Sequence, residues 1–134
     1  METTKDKVFG KMTYRHSWSK QDSLLMFGKA YIIKITAQAY KNEDINNLQQ
    51  ESYSVYRDFL ESHQEEIEQK LLKYCQENYQ SGEALETILT PTEILFEQDG
   101  SWGVLFESAY DSEHGLVAFI KNDEIIIASQ DNFL

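Results

Sequence analysis

Alternation of apolar and polar residues predicts strands in the first third of the chain. Between Tyr31 and Ala39 every second side chain is apolar, which is the period of a strand with one buried face. Val8–Arg15 alternates in the same way, whereas Ser19–Ser23 is polar throughout and is predicted to be a turn. The stretch Leu24–Ala39 is long enough for one strand or for two strands joined at Gly28.

The period becomes helical in the middle of the chain. Apolar residues recur three and four positions apart in two successive stretches, which predicts amphipathic helices over residues 44–61 and 63–80. Ser62 and Glu65 have the spacing of a capping box, so a second helix is expected to begin there. Ser81–Gly82 is expected to end that helix, because glycine is common just beyond a helix C-terminus.

Strand periodicity returns in the last third and predicts four strands in a meander. The Asp99–Gly100 pair lies between two apolar runs and is a strong hairpin signal. Glu107–Gly115 is predicted to be a loop, and Asn122–Asp123 is predicted to turn the chain into a last strand, Ile125–Ala128.

Strands that are separated from helices along a chain indicate an α+β fold. We therefore expect a single domain over residues 1–134, with an antiparallel, meander-like sheet of about six strands. Two consecutive amphipathic helices pack on this sheet, and the expected order of elements is β-β-(β)-α-α-β-β-β-β.

Length and composition support one globular domain in a reducing compartment. The chain has 134 residues, which is too few for two ordinary domains. Because 41% of its residues are hydrophobic and 13% are aromatic, a disordered chain is not expected. Its single cysteine, Cys75, excludes an internal disulfide framework and is expected to be buried and unreactive. Because no secretory signal or membrane-spanning run is present, we expect a cytoplasmic protein that does not bind membranes.

The charge of the chain is strongly negative and unevenly distributed. The net charge is −11. Residues 1–41 carry eight Lys and Arg against three Asp and Glu, a balance of +5; residues 42–86 carry three against eleven (−8), and residues 87–134 one against nine (−8). Such acidity repels phosphate backbones, so no direct nucleic-acid binding is expected. It attracts a basic protein partner, or it serves only to keep the protein soluble.

Two polar clusters are the candidate sites, and neither has a catalytic signature. The first is acidic, lies at the predicted helix junction, and is either a solvated helix face or a surface for a cationic partner. The second lies in the predicted loop Glu107–Gly115, where it offers ligands for a divalent cation or an acid–base pair. A metal site needs at least three converging donors, and neighbouring strand residues point to opposite faces, so a structural or partner-contacting loop is favoured. The first cluster comprises Asp58, Glu61, Glu65, Glu66 and Glu68, and the second comprises Asp111, Glu113 and His114.

Five segments in the second half of the chain carry a resemblance to a known family. They are Leu89–Ile94, Asp99–Gly100, Trp102–Phe106, Asp111–Ala118 and Gln130–Asp131. With these segments the chain resembles small bacterial domains of unknown function in which a glycine-containing strand precedes a Glu-His-Gly-Leu segment. That family is similar to the immunity proteins of polymorphic toxin and contact-dependent inhibition systems. The resemblance implies an α+β protein that acts by binding, and it supplies no catalytic residue.

We therefore expect a non-enzymatic protein-binding domain, specifically an immunity protein that neutralises a basic toxin domain through its acidic surface. Carboxylates of both clusters are the expected partner contacts, together with His114, and no cofactor or metal is expected. One alternative is an acidic regulatory or scaffold module that binds another protein. A second alternative is a small metal-dependent hydrolase that uses Asp111, Glu113 and His114.

Overall fold

A computed structural model describes residues 2–80 and 83–130 of the chain as one sheet with helices on one of its faces. The eight strands are neighbours in the sheet in the same order as along the chain. The elements are β1 (Glu2–Asp6), β2 (Gly10–Tyr14), β3 (Trp18–Met26), β4 (Lys29–Ala37), α1 (Asn47–Ser62), α2 (Gln64–Tyr79), α3 (Leu85–Ile88), β5 (Leu89–Phe96), β6 (Trp102–Ser108), β7 (Asp111–Lys121) and β8 (Glu124–Ser129). The predicted helix end at Ser81–Gly82 and the motif residue Asp131 lie outside the described residues.

The sheet is mixed, so the prediction of an antiparallel meander of about six strands is wrong. β4 and β5 run parallel, with Lys34 opposite Glu93 and Ala37 opposite Phe96, whereas the other neighbouring strands are antiparallel. Parallel neighbours require a crossover connection, and α1, α2 and α3 provide it. Side-chain alternation is the same in parallel and antiparallel strands, which is why the pattern along the chain does not report direction.

Four strands precede the helices, because the long alternating stretch is a hairpin and not a single strand. Its turn is at Phe27–Gly28, where φ is 53° and 75°. Two successive positive φ values are typical of a type I′ turn, whose twist matches that of the strands on either side. The polar strand β1 pairs with β2 at the edge of the sheet and has no apolar alternation that would predict it.

β3 includes Ser19–Ser23, which was predicted as a turn because it is polar. Two of its polar side chains, Lys20 and Asp22, have polar partners on α1. They can therefore face the helix from within a strand. Lys20 Nζ donates a hydrogen bond to Tyr53 Oη at 2.8 Å, and Arg57 Nη2 lies 3.1 Å from Asp22 Oδ2. The polarity of this strand therefore reflects tertiary pairing across the sheet–helix interface.

The core lies between the helices and the sheet face that they cover. Ile35, Ile94 and Leu116 on the central strands are fully closed to solvent. The ring of Tyr56 on α1 packs edge-on against Phe96, with ring centroids 5.5 Å apart. None of the described helices has the length and apolarity needed to cross a membrane.

α1 and α2 are separate helices, as predicted, but their junction is not a capping box. His63 is both the last cap of α1 and the first cap of α2, and α2 receives no side-chain capping bond from it, nor do Ser62 and Glu65 form the reciprocal pair. The backbone N–H of His63 donates to Phe59 O at 2.9 Å, and the two rings stack with centroids 4.0 Å apart. Ring stacking thus orients the chain where the helices meet.

The predicted hairpins of the last third are confirmed, whereas its predicted loop is too long. Gly100 has a φ of 92° in the turn between β5 and β6, and both residues of the Asn122–Asp123 turn have positive φ. Within Glu107–Gly115, β6 extends to Ser108 and β7 begins at Asp111. Most of the segment that contains the second polar cluster is therefore strand.

Candidate functional site

The helix junction carries an acidic surface, as the charge distribution predicts. Asp58, Glu61, Glu65 and Glu66 are exposed, and Glu68 is half-buried. In the described part of the chain, none of these five carboxylates forms an ion pair. Their negative charge is therefore not neutralised within the described fold.

An apolar groove of about 320 Å³ lies beside these carboxylates, between the end of β3 and the helix junction. Leu24, Met26 and Leu60 are almost closed to solvent and form its base, whereas Leu25 is 73% exposed. We call this the docking groove; it is lined by Leu24, Leu25, Met26, Arg57, Leu60, Glu61 and Gln64.

The single basic residue in this lining is already paired. Arg57 Nη2 lies 3.1 Å from Asp22 Oδ2 and donates to the carbonyl oxygen of Ser23 at 3.2 Å. Its guanidinium also lies over the ring of Tyr56, 5.2 Å from the centroid. Because Arg57 is engaged in this way, Glu61 and the neighbouring carboxylates determine the charge that the groove presents.

The second predicted cluster does not form a metal site. Asp111 Oδ1 accepts a hydrogen bond from the backbone N–H of His114 at 3.2 Å and lies 3.4 Å from His114 Nδ1. Glu113 is exposed, and the described residues contain no group of three side chains able to hold a metal ion. The structure therefore brings Asp111 and His114 together at the start of β7, whereas Glu113 is not part of this contact.

The opposite face of the sheet carries a second groove, of about 460 Å³, which the sequence analysis did not identify. Most of its lining residues are of polar types, and they come from β2 to β5, from the turn between β2 and β3, and from the residue that follows β4. We call it the polar groove; its lining includes Arg15, His16, Ser19, Lys34, Thr36 and Glu93.

The central feature of the polar groove is a fixed carboxylate beside a lysine. Thr36 is 4% exposed, and its Oγ1 donates to Glu93 Oε2 at 2.5 Å. Lys34 is the direct neighbour of Glu93 in the parallel register of β4 and β5. Only this register brings the two residues together, which is why they could not be associated from the sequence.

Comparison with known proteins identifies a family for the chain. The model of the family described as Domain of unknown function (DUF6985) matches residues 8–134. No curated protein and no solved structure matches the chain significantly.

Proposed function

We propose a function for this chain, which belongs to the DUF6985 family of domains of unknown function, from the geometry of its own surface. It is a non-enzymatic protein-binding domain that docks a basic partner protein at the helix junction. In its most specific form, the proposal is that the chain is an immunity protein and that the partner is a toxin.

One observation carries this proposal: an open apolar groove adjoins carboxylates that have no counter-ion among the described residues. Specific protein interfaces combine a desolvated apolar centre with a polar rim. Leu24, Met26 and Leu60 form the apolar base of the docking groove, which an apolar side chain of a partner would cover. Glu61 belongs both to the groove and to the acidic surface, so the two parts of the surface are continuous.

The charge of the surface selects the class of partner. Residues 42–86, which include the helix junction, have a balance of −8 from three basic and eleven acidic residues. A potential of this sign accelerates the approach of a cationic protein and disfavours acidic competitors. A nuclease-like toxin presents Lys and Arg where it holds phosphates, so carboxylates placed over that site would block it.

The resemblance to immunity proteins described above supports the toxin as the partner, and the same groove would serve a regulatory or scaffold module. The predicted second contact surface at Asp111, Glu113 and His114 is not part of the docking groove and stays a prediction. Over residues 2–80 and 83–130 no three side chains are grouped to hold a metal ion, so the geometry there does not favour the metal-dependent hydrolase.

The proposal is tested with a toxin-like protein encoded beside the gene for this chain. The toxin is expressed in cells with and without the chain, and growth is followed, while association of the purified proteins is measured by surface plasmon resonance. We expect restored growth. We also expect the double variant Glu61→Lys/Glu65→Lys to associate at least about tenfold more slowly, because it reverses the steering charge.

The matched control is Glu107→Lys/Glu124→Lys, which makes the same charge change at two exposed strand residues outside the docking groove. This control should associate with the toxin at the rate of the unchanged protein. Binding without restored growth would exclude the immunity role and support the regulatory module. Equal kinetics for the two double variants would exclude the helix junction as the contact surface.

A further inference from the structure

The polar groove is separate from the docking groove. We infer that it binds a small oxyanion, a phosphate or a carboxylate, that also carries a hydroxyl group. This inference does not depend on the proposed function, because the groove lies on the sheet face opposite the helices and shares no lining residue with the docking groove.

The charge of the groove is opposite to that of the protein as a whole. The chain has a net charge of −11, yet residues 1–41, which supply most of the lining, have a balance of +5 from eight basic and three acidic residues. Arg15 and Lys34 both line the groove. A small anion that is repelled by the remaining surface is therefore attracted here.

Lys34 is the group best placed to hold the anion. Its side chain is exposed on β4, between Gln21 on β3 and Glu93 on β5. No residue in the described ranges forms a hydrogen bond or an ion pair with its ammonium group. Because the neighbouring Glu93 does not take up this charge, the ammonium group is available for a charge-assisted bond to an oxyanion.

Glu93 supplies the acceptor that selects a hydroxyl group on the ligand. The buried Thr36 hydroxyl holds its Oε2 at 2.5 Å, which fixes the carboxylate and leaves Oε1 as an acceptor. Lys34 and Glu93 are partners in the register of two strands about 4.8 Å apart, so both side chains leave the same face of the sheet and line the same groove. A ligand that carries an oxyanion and a nearby hydroxyl complements both.

The end of the groove contains a residue in an unfavourable backbone conformation. His16, in the turn between β2 and β3, has a φ of 128°, a value that favours glycine. Such strain is concentrated at binding sites, where the surrounding structure compensates for it. The groove volume of about 460 Å³ lies within the range of small-molecule sites.

The test is an NMR titration of the full chain, in which backbone amide shifts are followed as a probe is added. The probes are inorganic phosphate and acetate, their hydroxylated counterparts glycerol 3-phosphate and glycerate, and glycerol. We expect saturable shifts at Arg15, His16 and Lys34 with the anions but not with glycerol, and tighter binding of the hydroxylated anion in each pair. Whichever pair binds more tightly, the phosphates or the carboxylates, then identifies the oxyanion.

The variant Lys34→Gln should weaken binding of the preferred anion about tenfold, the value of one charge-assisted hydrogen bond. Lys29→Gln is the matched control, since Lys29 is also exposed on β4 and does not line the groove. Both variants are checked for folding by their amide spectra. The inference is overturned if no anion produces saturable shifts, if bare and hydroxylated anions bind equally, or if the two lysine variants weaken binding equally.

Discussion

Gln49 Nε2 donates a hydrogen bond to the carbonyl oxygen of Phe96 at 3.0 Å, in a position fully closed to solvent. The same nitrogen donates to Gln38 O at 2.8 Å, and Gln49 Oε1 accepts the backbone N–H of Asn46 at 3.0 Å. Asn46 Oδ1 in turn accepts the N–H of Gln49 at 2.9 Å, which completes a capping box. One buried amide therefore connects the start of α1 to the ends of the parallel strands β4 and β5.

The first prediction is that Gln49→Met destabilises the fold by about 2–4 kcal/mol. Methionine fills a similar volume, but it leaves the Asn46 N–H and the two carbonyl groups without their bonds to this side chain in a buried site. The free energy of unfolding in urea measures the effect.

Gln69→Met is the control for this substitution. Gln69 is exposed on α2, so its replacement should change the free energy of unfolding by less than about 0.5 kcal/mol. A Gln49→Met protein as stable as the Gln69→Met protein would show that the buried amide is not needed to attach α1.

Local patterns predicted the helix pair and the last four strands because each of these elements places one apolar stripe against the core. They missed β1 and most of β3, whose polar residues pair with another strand or with α1. Lys20, for example, is polar in sequence but bonds to Tyr53 in the fold. The direction of β5 was not predicted, because a strand that follows a crossover connection has the same alternation of residues as an antiparallel strand.

The candidate sites were predictable to different extents. Clustered carboxylates such as Glu65 and Glu66 are visible in sequence, and the structure leaves them exposed. The docking groove combines Leu24 and Met26 on β3 with Leu60 on α1, and the polar groove requires Lys34 to align with Glu93. Such contacts between distant segments are set by tertiary register, so residue spacing along the chain does not encode them.

The second prediction concerns Gly115, in the Glu-His-Gly-Leu segment. Its φ is 69°, and a Cβ atom there would collide with Phe106 O and lie 2.8 Å from Gln130 Nε2. Gln130 Nε2 donates to Phe106 O at 3.0 Å and to Leu116 O at 3.1 Å, so the neighbours are fixed. Gly115→Ala should lower the free energy of unfolding by about 2–4 kcal/mol, through backbone strain and this collision.

Gly28→Ala separates the two contributions. Gly28 has a similar φ of 75°, but a Cβ atom there would meet nothing within 4 Å. Its substitution should therefore cost only about 1 kcal/mol, the cost of the backbone conformation alone. Equal losses of unfolding free energy at the two sites would show that close packing does not explain the glycine of this segment.

The third prediction is a loss of stability in alkali that depends on Tyr56. Desolvation by burial raises the pKa of Tyr56 to about 12, against a smaller opposing effect of Arg57. The unfolded chain ionises this phenol near its ordinary pKa of 10.0, before the folded protein does. The contribution of the neutral phenol is therefore complete below pH 10 and is lost between about pH 10 and pH 12, at a cost of about 2–3 kcal/mol.

Tyr56→Phe removes the ionisable hydroxyl, which is closed to solvent and has no hydrogen-bond partner among the described residues. The variant should be at least as stable as the parent at pH 8, because no bond is lost, and its unfolding free energy should decline less between pH 10 and pH 12. Urea unfolding at each pH measures the difference. Tyr40→Phe, at a tyrosine that is 75% exposed, should keep the full decline; if both variants decline alike, burial of Tyr56 is not the cause.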